Sequence, residues 1–316
     1  EPLVDVFSKI KGNGIDLAAG WQYAAVVFAI VAVIFFYLCF IWTKERIKPV
    51  VEKTSLKDDI RDLWGNRPWF ILLGAGISVI FFNSIRDGAA IYYFKYYVTV
   101  QDAFQLNSFN MTISLSSMYF VLGQAANIVG VLLTIPVSNR MGKKGTFLTA
   151  MVIATLLNTS SLYKILNVDE FDLLLNIWFY YIDRSNVSLI FVLQFFISLC
   201  AGITLPLIWS MYADASDYSE WKTKRRATGL VFSASSMSQK FGWTIGGALT
   251  GWLLGYYGFQ ANVVQTEFAQ NGIRMMLSFF PAIGTFLGVL FMLVYPLSEK
   301  KMAEIGIALK NKREEI

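Results

Sequence analysis

The sequence contains no histidine and only two cysteines, Cys39 and Cys200, among its 316 residues. Without histidine there is no imidazole for a proton relay or for a zinc site of the usual kind. Both cysteines lie inside apolar runs without metal-ligand spacing, and we interpret them as small core or lipid-facing residues. The chain also has no nucleophile elbow, phosphate loop or dinucleotide fingerprint, so neither an enzyme activity nor a cofactor is predicted.

Charged residues are scarce as well, at 16% of the chain, against roughly 25% in an ordinary soluble domain. Hydrophobic residues make up 55% and occur in long runs rather than in amphipathic stripes. The runs 20–42 and 188–211 contain no charge at all, and a helix crosses a bilayer with about 20 apolar residues. The chain is therefore predicted to be an all-α, polytopic membrane protein with the lipid bilayer as its solvent.

Seven segments are predicted to cross the membrane, at 20–42, 69–98, 114–137, 145–166, 188–211, 228–257 and 272–297. Residues 1–19 are predicted to be extracytoplasmic, and residues 298–316 form a charged tail that is helical at its start. The connector 43–68 fits either a short interfacial helix or a solvated loop. Its apolar residues at helical spacing are Leu56, Ile60, Leu63 and Trp64.

The basic residues set the orientation of these segments. Most of the 27 lysines and arginines lie on one side of the predicted membrane, in 43–68, 138–144, 212–227 and 298–316. The loop 167–187 on the other side is mainly acidic. Since positive charge marks the cytoplasmic side, we expect a protein of the cell (inner or plasma) membrane with a cytoplasmic C-terminus. Topology alone explains the net charge of +5, and no nucleic-acid partner is predicted.

Lys240 is the most informative polar residue of the predicted spans. It lies near the middle of 228–257, too deep to snorkel easily to either surface. Ser233, Ser236 and Thr244 share its helix face and form a polar stripe with it. Lys240 is either a structural lysine paired with a carboxylate on a neighbouring helix or a ligand- or coupling-related lysine that lines a cavity.

Three polar residues, Asn83, Arg86 and Asp87, interrupt the span 69–98. Because neighbours in a helix do not face each other, Arg86 and Asp87 cannot satisfy one another well. We hypothesise that Asp87 reaches Lys240 or the water around it. The alternative is a pair of charges in a broken helix near the outer surface.

The remaining polar and small residues of the spans each allow two interpretations. Gln124 and Asn127 lie one turn apart, where their amides either bind a polyhydroxylated ligand or join helices. Tyr92 and Tyr96 share one helix face, where they either stack on a sugar or belong to an interfacial aromatic belt. The glycines in 242–255 are spaced for close helix packing, which does not by itself require a dimer.

A resemblance to the glycoside–pentoside–hexuronide:cation symporter family of the major facilitator superfamily is carried by YADASDYSEWKTKRRATG and SMSQKFGWTIGGALTGWLLGYYG. The matching features are the acidic D-x-x-D-Y-x-E-W loop, the basic turn that ends in glycine, and the lysine in the next helix. NRPWFILL and RDGAAIYYFKYYV look like the family's seventh helix. SNRMGKK is similar to the superfamily's basic turn between paired helices.

This resemblance implies a two-halved, twelve-helix transporter. In it, 20–42 corresponds to the last helix of the N-terminal half, 43–68 to the middle cytoplasmic loop and 69–297 to the C-terminal six-helix half. It implies symport of a sugar, glycoside or related acid with sodium or protons, by alternating access around a midplane site. A transporter of a lipid or sulfonated sugar, or a non-transporting sensor or scaffold half, is the alternative.

The resemblance also implies functional residues. Lys240 matches the lysine of the family's eleventh helix, near the sugar and the cation. Ser236 matches a nearby position that is often hydroxylated, and Trp209 matches a tryptophan before the acidic loop. The predicted substrate-binding set is Lys240, Ser236, Trp209, Gln124, Asn127, Asn83, Asp87 and Tyr92. The charged residues expected to close the cytoplasmic side are Asp214, Asp217, Glu220, Lys224, Arg225 and Arg226.

The family's cation-binding carboxylates lie mainly on N-terminal helices that this sequence lacks, so the missing N-terminal half is an expected partner. We therefore expect the 316-residue polypeptide alone not to carry out coupled transport. Proteoliposomes that contain only these residues are expected to show no ion-driven sugar uptake beyond that of empty vesicles. Robust uptake driven by sodium or by a proton gradient would contradict this expectation.

Overall fold

A computed structural model describes residues 2–8, 16–43, 61, 63–98, 104–106, 111–166, 187–224 and 228–314. The helices in these ranges are α1 (Pro2–Ser8), α2 (Leu17–Trp42), α3 (Arg67–Tyr96), α4 (Leu115–Leu166), α5 (Val187–Thr223), α6 (Thr228–Tyr256), α7 (Glu267–Leu277), α8 (Phe279–Leu293) and α9 (Glu299–Glu314). Two short strands, β1 (Phe104–Leu106) and β2 (Met111–Ile113), pair in antiparallel fashion. The predicted all-α fold is confirmed apart from this one pair of strands.

The chain forms two compact units, Glu1–Thr54 with Val100–Met118 and Ser55–Thr99 with Tyr119–Ile316. In the first unit α1 packs closely on α2, because a Cβ on Gly20 would lie only 2.6 Å from the carbonyl oxygen of Val4. The second unit contains the main hydrophobic core and every described residue of the candidate sites.

Within the second unit, helix α3 packs against α5, α6, α7 and α8. Leu72 and Phe82 of α3 have no exposed surface, as expected for a helix that is apolar on nearly every side. The cap at Asn66 joins the start of α3 to α5. Its side chain accepts a hydrogen bond from the Trp69 N–H (3.1 Å) and donates one to the Ala215 carbonyl (2.8 Å).

Helices α3 and α6 run parallel at very close range. Gly242 faces Ile80, and one turn further along both helices Gly246 faces Ser84. A Cβ on Gly246 would lie 2.5 Å from the Ser84 Cβ, so glycine allows a contact that alanine would obstruct. The other glycines of the predicted packing set have open space beside them within the described chain, namely Gly247, Gly251 and Gly255.

Five segments of the described chain are long and apolar enough to cross a membrane, in agreement with the predicted polytopic fold. They are Ala18–Trp42, Arg67–Tyr96, Leu115–Thr159, Ile190–Thr223 and Glu267–Leu293. Two of the predicted spans, 114–137 and 145–166, are counted together because they are joined in α4, which breaks at Gly142 (φ 73°, ψ 161°). Helix α6 is not among the five, since its polar stripe and glycines lower its hydropathy.

The predicted span 272–297 is divided at Ser278, where α7 ends and α8 begins. Pro281 explains the division, because a proline ring clashes with the carbonyl four residues earlier and offers it no N–H. Beyond this span, α9 buries Ile305 and Leu309. The tail is therefore helical from Glu299 to Glu314 rather than only at its start.

Replacing Gly246 with alanine is expected to destabilise the protein, because the added Cβ would have to displace Ser84 or the backbone of α3. Overpacking of this kind costs about 1–3 kcal/mol, which the thermal unfolding midpoint in detergent reports. The control Gly251→Ala adds the same methyl group where the described chain leaves open space. Equal midpoints for the two variants would contradict the close α3–α6 contact.

Candidate functional site

The outward face of α6 carries the polar stripe that the sequence predicts. Ser233, Lys240 and Thr244 are exposed, and Ser236 is half-buried. On the opposite face, Ser235 is buried and accepts a hydrogen bond from α3. The packing of α6 on α3 therefore buries Ser235 in the helix contact, whereas Ser233 and Ser236 remain available to a ligand.

Lys240 lies near the middle of α6 and is exposed. Among the residues that the structure describes, it forms no ion pair. A charged side chain at the centre of a bilayer costs about 2.5–3.5 kcal/mol on insertion scales. In the predicted membrane span 228–257, its ammonium group would require water, a ligand or a carboxylate from outside the described chain.

About two turns before Lys240 on α6, an aromatic pair joins α5 to α6. The ring of Trp209 is nearly parallel to that of Phe232, with centroids 6.0 Å and planes 6° apart, and Tyr212 meets Trp209 edge-on at 6.0 Å. Trp209 is 37% exposed. Because Phe232, Ser236 and Lys240 follow at intervals of four residues, they form a continuous strip on α6. We call Trp209, Phe232, Ser236 and Lys240 the α5–α6 strip.

The hypothesised contact between Asp87 and Lys240 does not form in this structure. Because α3 and α6 are parallel and Ser84 lies beside Gly246, Lys240 is level with Ser78 and Asp87 lies further along α3. The offset is roughly nine residues, or about 13 Å at 1.5 Å per residue. Two side chains cannot bridge that distance.

Arg86 is more deeply buried than its neighbour Asp87, and only 4% of its surface is exposed. Its guanidinium carbon lies 5.7 Å from the centroid of the Tyr119 ring, within the range of a cation–π contact. Helix α3 is continuous here, so the charges do not lie in a broken helix. Sequence reasoning misses Tyr119, because one aromatic residue at the start of a span does not identify its partner.

The predicted amide ligands lie on α3 and α4. Asn83 donates a hydrogen bond to the Val79 carbonyl of its own helix at 2.9 Å. Gln124 is exposed and Asn127 is half-buried on α4, where the Asn127 backbone packs against Gly202 of α5. In the described part of the chain, none of the three amides is hydrogen-bonded to the α5–α6 strip.

Tyr92 belongs to an aromatic cluster at the end of α3. Its ring stacks with Tyr96 at 6.5 Å and meets Phe259 edge-on at 5.1 Å. The Tyr96 hydroxyl accepts a hydrogen bond from the Asn262 N–H at 3.1 Å. These contacts hold the α6–α7 connection against α3, and they favour a packing role for Tyr92 over sugar stacking.

A separate group of charges surrounds the break in α4 at Gly142, whose φ of 73° favours glycine. The Nζ atom of Lys143 lies 2.6 and 2.8 Å from the two carboxylate oxygens of Asp214, and the Lys143 N–H donates to Glu299 at 2.8 Å. The ammonium of Lys144 donates to backbone carbonyls at the end of α8. This basic-turn cluster (Lys143, Lys144, Asp214 and Glu299) ties α4 to α5, α8 and α9.

Asp214, one of the residues predicted to close the cytoplasmic side, thus forms its ion pair with Lys143 of the same unit. The other predicted gate residues are Asp217 and Glu220 on α5, exposed Lys224 just after it, and Arg225 and Arg226, which lie outside the described residues. Sequence reasoning misses Glu299 and does not connect Lys143 with Asp214. The basic turn SNRMGKK is the signal for Lys143, but no local pattern points to Glu299.

Membrane-length helices, a mid-helix lysine and a partly exposed tryptophan stacked on the same helix are features of a multi-pass membrane transport protein. The chain belongs to the family described as MFS/sugar transport protein, which it matches over residues 2–299. This membership confirms the resemblance seen in the sequence motifs. It also identifies the chain with membrane transporters and not with enzymes.

Three curated relatives illustrate the similarity. The isoprimeverose transporter of Lactiplantibacillus pentosus is 32% identical over 94% of this chain and 56% of its own length. The glucuronide carrier protein homolog of Escherichia coli is 26% identical over 94% of this chain and 59% of its own. The putative glycoside/cation symporter YagG of Escherichia coli is 27% identical over 96% and 59%. The chain therefore spans less than two thirds of the length of these relatives.

Replacing Asp214 with asparagine is expected to lower thermal stability, because it leaves the partly buried Lys143 ammonium without its carboxylate. The expected loss is about 1–2 kcal/mol, measured as a lower unfolding midpoint in detergent. The double variant Lys143→Gln with Asp214→Asn should lose less than the sum of the single variants. Glu304→Gln on the exposed side of α9 is the control, and additive losses in the double variant would contradict the pair.

Proposed function

We propose that the protein carries a sugar or glycoside across the membrane together with a cation, by alternating access. The observation that supports this proposal most strongly is the exposed ammonium of Lys240, which has no ionic partner among the described residues. Ser236 and Trp209 lie on the same strip and supply a hydroxyl and an aromatic surface. Together they offer the polar and apolar contacts that a sugar ring requires.

The chemistry of these side chains suits a polyhydroxylated ligand. The ammonium of Lys240 has three N–H donors for sugar hydroxyls, and the Ser236 hydroxyl both donates and accepts. The exposed part of Trp209 can stack on the apolar C–H face of a sugar ring. Exposed Gln124 is a further candidate ligand, whereas the packed Tyr92 is a weaker one.

In this proposal the chain provides one wall of the transport pathway. The family resemblance assigns the coupling cation, sodium or proton, mainly to an N-terminal half. The opposing wall and most of the cation site then come from that half, in line with relatives that are longer than the region they share with this chain. Substrate would bind between the two walls near the middle of the membrane.

On the proposed cytoplasmic side, the charged end of α5 acts as a gate. Asp217 and Glu220, with Lys224, Arg225 and Arg226, would pair with charges of the other half when the pathway closes there. The ion pair between Asp214 and Lys143 instead holds α4 and α5 together within this half. Because the Asp214–Lys143 pair holds these helices together, the C-terminal half can move as one body while the charges at the end of α5 change partners.

A second candidate cargo is an anionic sugar derivative, such as a uronate or sulfonate. The positive charge of Lys240, which no carboxylate among the described residues neutralises, favours it, because an anion would neutralise the ammonium inside the membrane. Two relatives carry names of this kind, the glucuronide carrier protein homolog and the putative 2,3-dihydroxypropane-1-sulfonate exporter of Salmonella typhimurium, which is 27% identical. Competition between neutral and anionic sugars in one assay distinguishes the two cargo classes.

The test is uptake of a panel of neutral and acidic glycosides by the protein expressed from its natural gene, with whatever coding sequence precedes Glu1. We expect uptake of at least one sugar to require a sodium or proton gradient. Lys240→Gln should reduce that uptake about 10- to 100-fold, the equivalent of one hydrogen bond to a charged group. Lys301→Gln, on the exposed surface of α9, is the matched control.

Two outcomes would contradict the proposal. The first is the absence of gradient-driven uptake for every member of the panel in protein that is folded and inserted. The second is equal uptake by Lys240→Gln and Lys301→Gln. The second result would leave a transporter but would remove Lys240 from its binding site.

A further inference from the structure

The tryptophan of the α5–α6 strip contacts two aromatic rings from different helices. Phe232 lies nearly parallel to Trp209, and Tyr212 stands edge-on to it. Tyr212 is fully buried, and its hydroxyl donates to the Leu72 carbonyl of α3 at 3.2 Å. Tyr212 is thus fixed in the core, while the half-buried Phe232 covers part of one indole face.

The backbone of α5 alone does not fix the direction of the indole. Pro206 lies inside α5, one turn before Trp209, so residue 206 offers no N–H to the Gly202 carbonyl. A missing bond of this kind makes a helix easier to bend. The orientation of Trp209 therefore depends on its contact with α6. In that contact the Phe232 ring lies parallel to the indole and sets its plane.

We infer that Phe232 is the positioning residue of the sugar site, because it holds the Trp209 indole so that its uncovered face meets the apolar face of a pyranose. Ser236 and Lys240, one and two turns further along α6, then face the hydroxyls of the same ring. The sugar part of this inference rests on the proposed function. The part that concerns the orientation of Trp209 rests only on the ring contacts.

Phe232 acts through Trp209 rather than by touching the ligand. An aromatic pair contributes energy beyond simple burial, and its loss predicts a rise of about threefold to tenfold in the half-saturation concentration. If the indole binds the sugar equally at every stage of transport, the loss raises the half-saturation concentration and leaves the maximal rate unchanged. A phenylalanine that only filled the core would lower the amount of folded protein and leave the half-saturation concentration of the folded fraction unchanged.

The experiment uses the complete natural transporter labelled with 5-fluorotryptophan, in which Trp209→Phe identifies the fluorine resonance of Trp209. Phe232→Leu keeps an apolar side chain but removes the ring, Phe232→Tyr keeps the ring, and Phe120→Leu removes a half-buried ring from α4 as the control. We expect Phe232→Leu alone to move the Trp209 resonance and to raise the half-saturation concentration. In a background of Trp209→Phe, adding Phe232→Leu should produce no further rise.

Each outcome decides one part of the inference. An unmoved resonance in Phe232→Leu overturns the positioning role, whatever the transporter carries. A moved resonance with an unchanged half-saturation concentration, or equal effects of Phe232→Leu and Phe120→Leu, overturns the link to sugar binding. If no sugar binds to the unmodified transporter, the proposed function fails, and the fluorine resonance still decides whether Phe232 positions Trp209.

Discussion

The parallel contact between α3 and α6 decides which residues of α6 are available to a ligand. Little hydrophobic force drives helices together inside a bilayer, so small residues that permit close van der Waals contact set the geometry. Gly242 and Gly246 turn one face of α6 onto α3, and Ser236 and Lys240 consequently lie outside that contact. The same register keeps Asp87 far from Lys240, so α3 does not neutralise the lysine.

Several hydroxyl groups of α3 and α6 are hydrogen-bonded to the backbone of their own helix, which an ammonium group such as that of Lys240 cannot achieve. The hydroxyl of Ser78 donates to the Gly74 carbonyl at 2.8 Å, and that of Thr250 to the Gly246 carbonyl at 2.9 Å. Such bonds to the preceding turn remove the cost of a hydroxyl group in apolar surroundings. An ammonium group with three donors and a full charge cannot be satisfied in this way.

Sequence reasoning predicts the membrane helices well, because an apolar run long enough to span a bilayer is a local signal. The division at Ser278 is equally local, since Pro281 acts on its own helix, and a proline inside a predicted span is the signal for it. Contacts between distant segments are different. Asp214 and Lys143 are 71 residues apart, and neither surrounding pattern identifies the other as its partner. The stacking of Trp209 on Phe232 is hidden for the same reason.

Helix α5 connects the two groups of functional residues in the second unit. Trp209 and Asp214 lie only about 7.5 Å apart along its axis, at 1.5 Å per residue. Asp214 is bound to α4 through Lys143, whereas Pro206, on the other side of Trp209, interrupts the hydrogen bonds of the helix. The turn that carries Trp209 is therefore fixed at one end and weakened at the other. A bend at Pro206 changes the angle of the part of α5 that precedes residue 206, without breaking the ion pair. Trp209 stays with the part of α5 that Lys143 holds, and the Phe232 ring of α6 sets the plane of its indole.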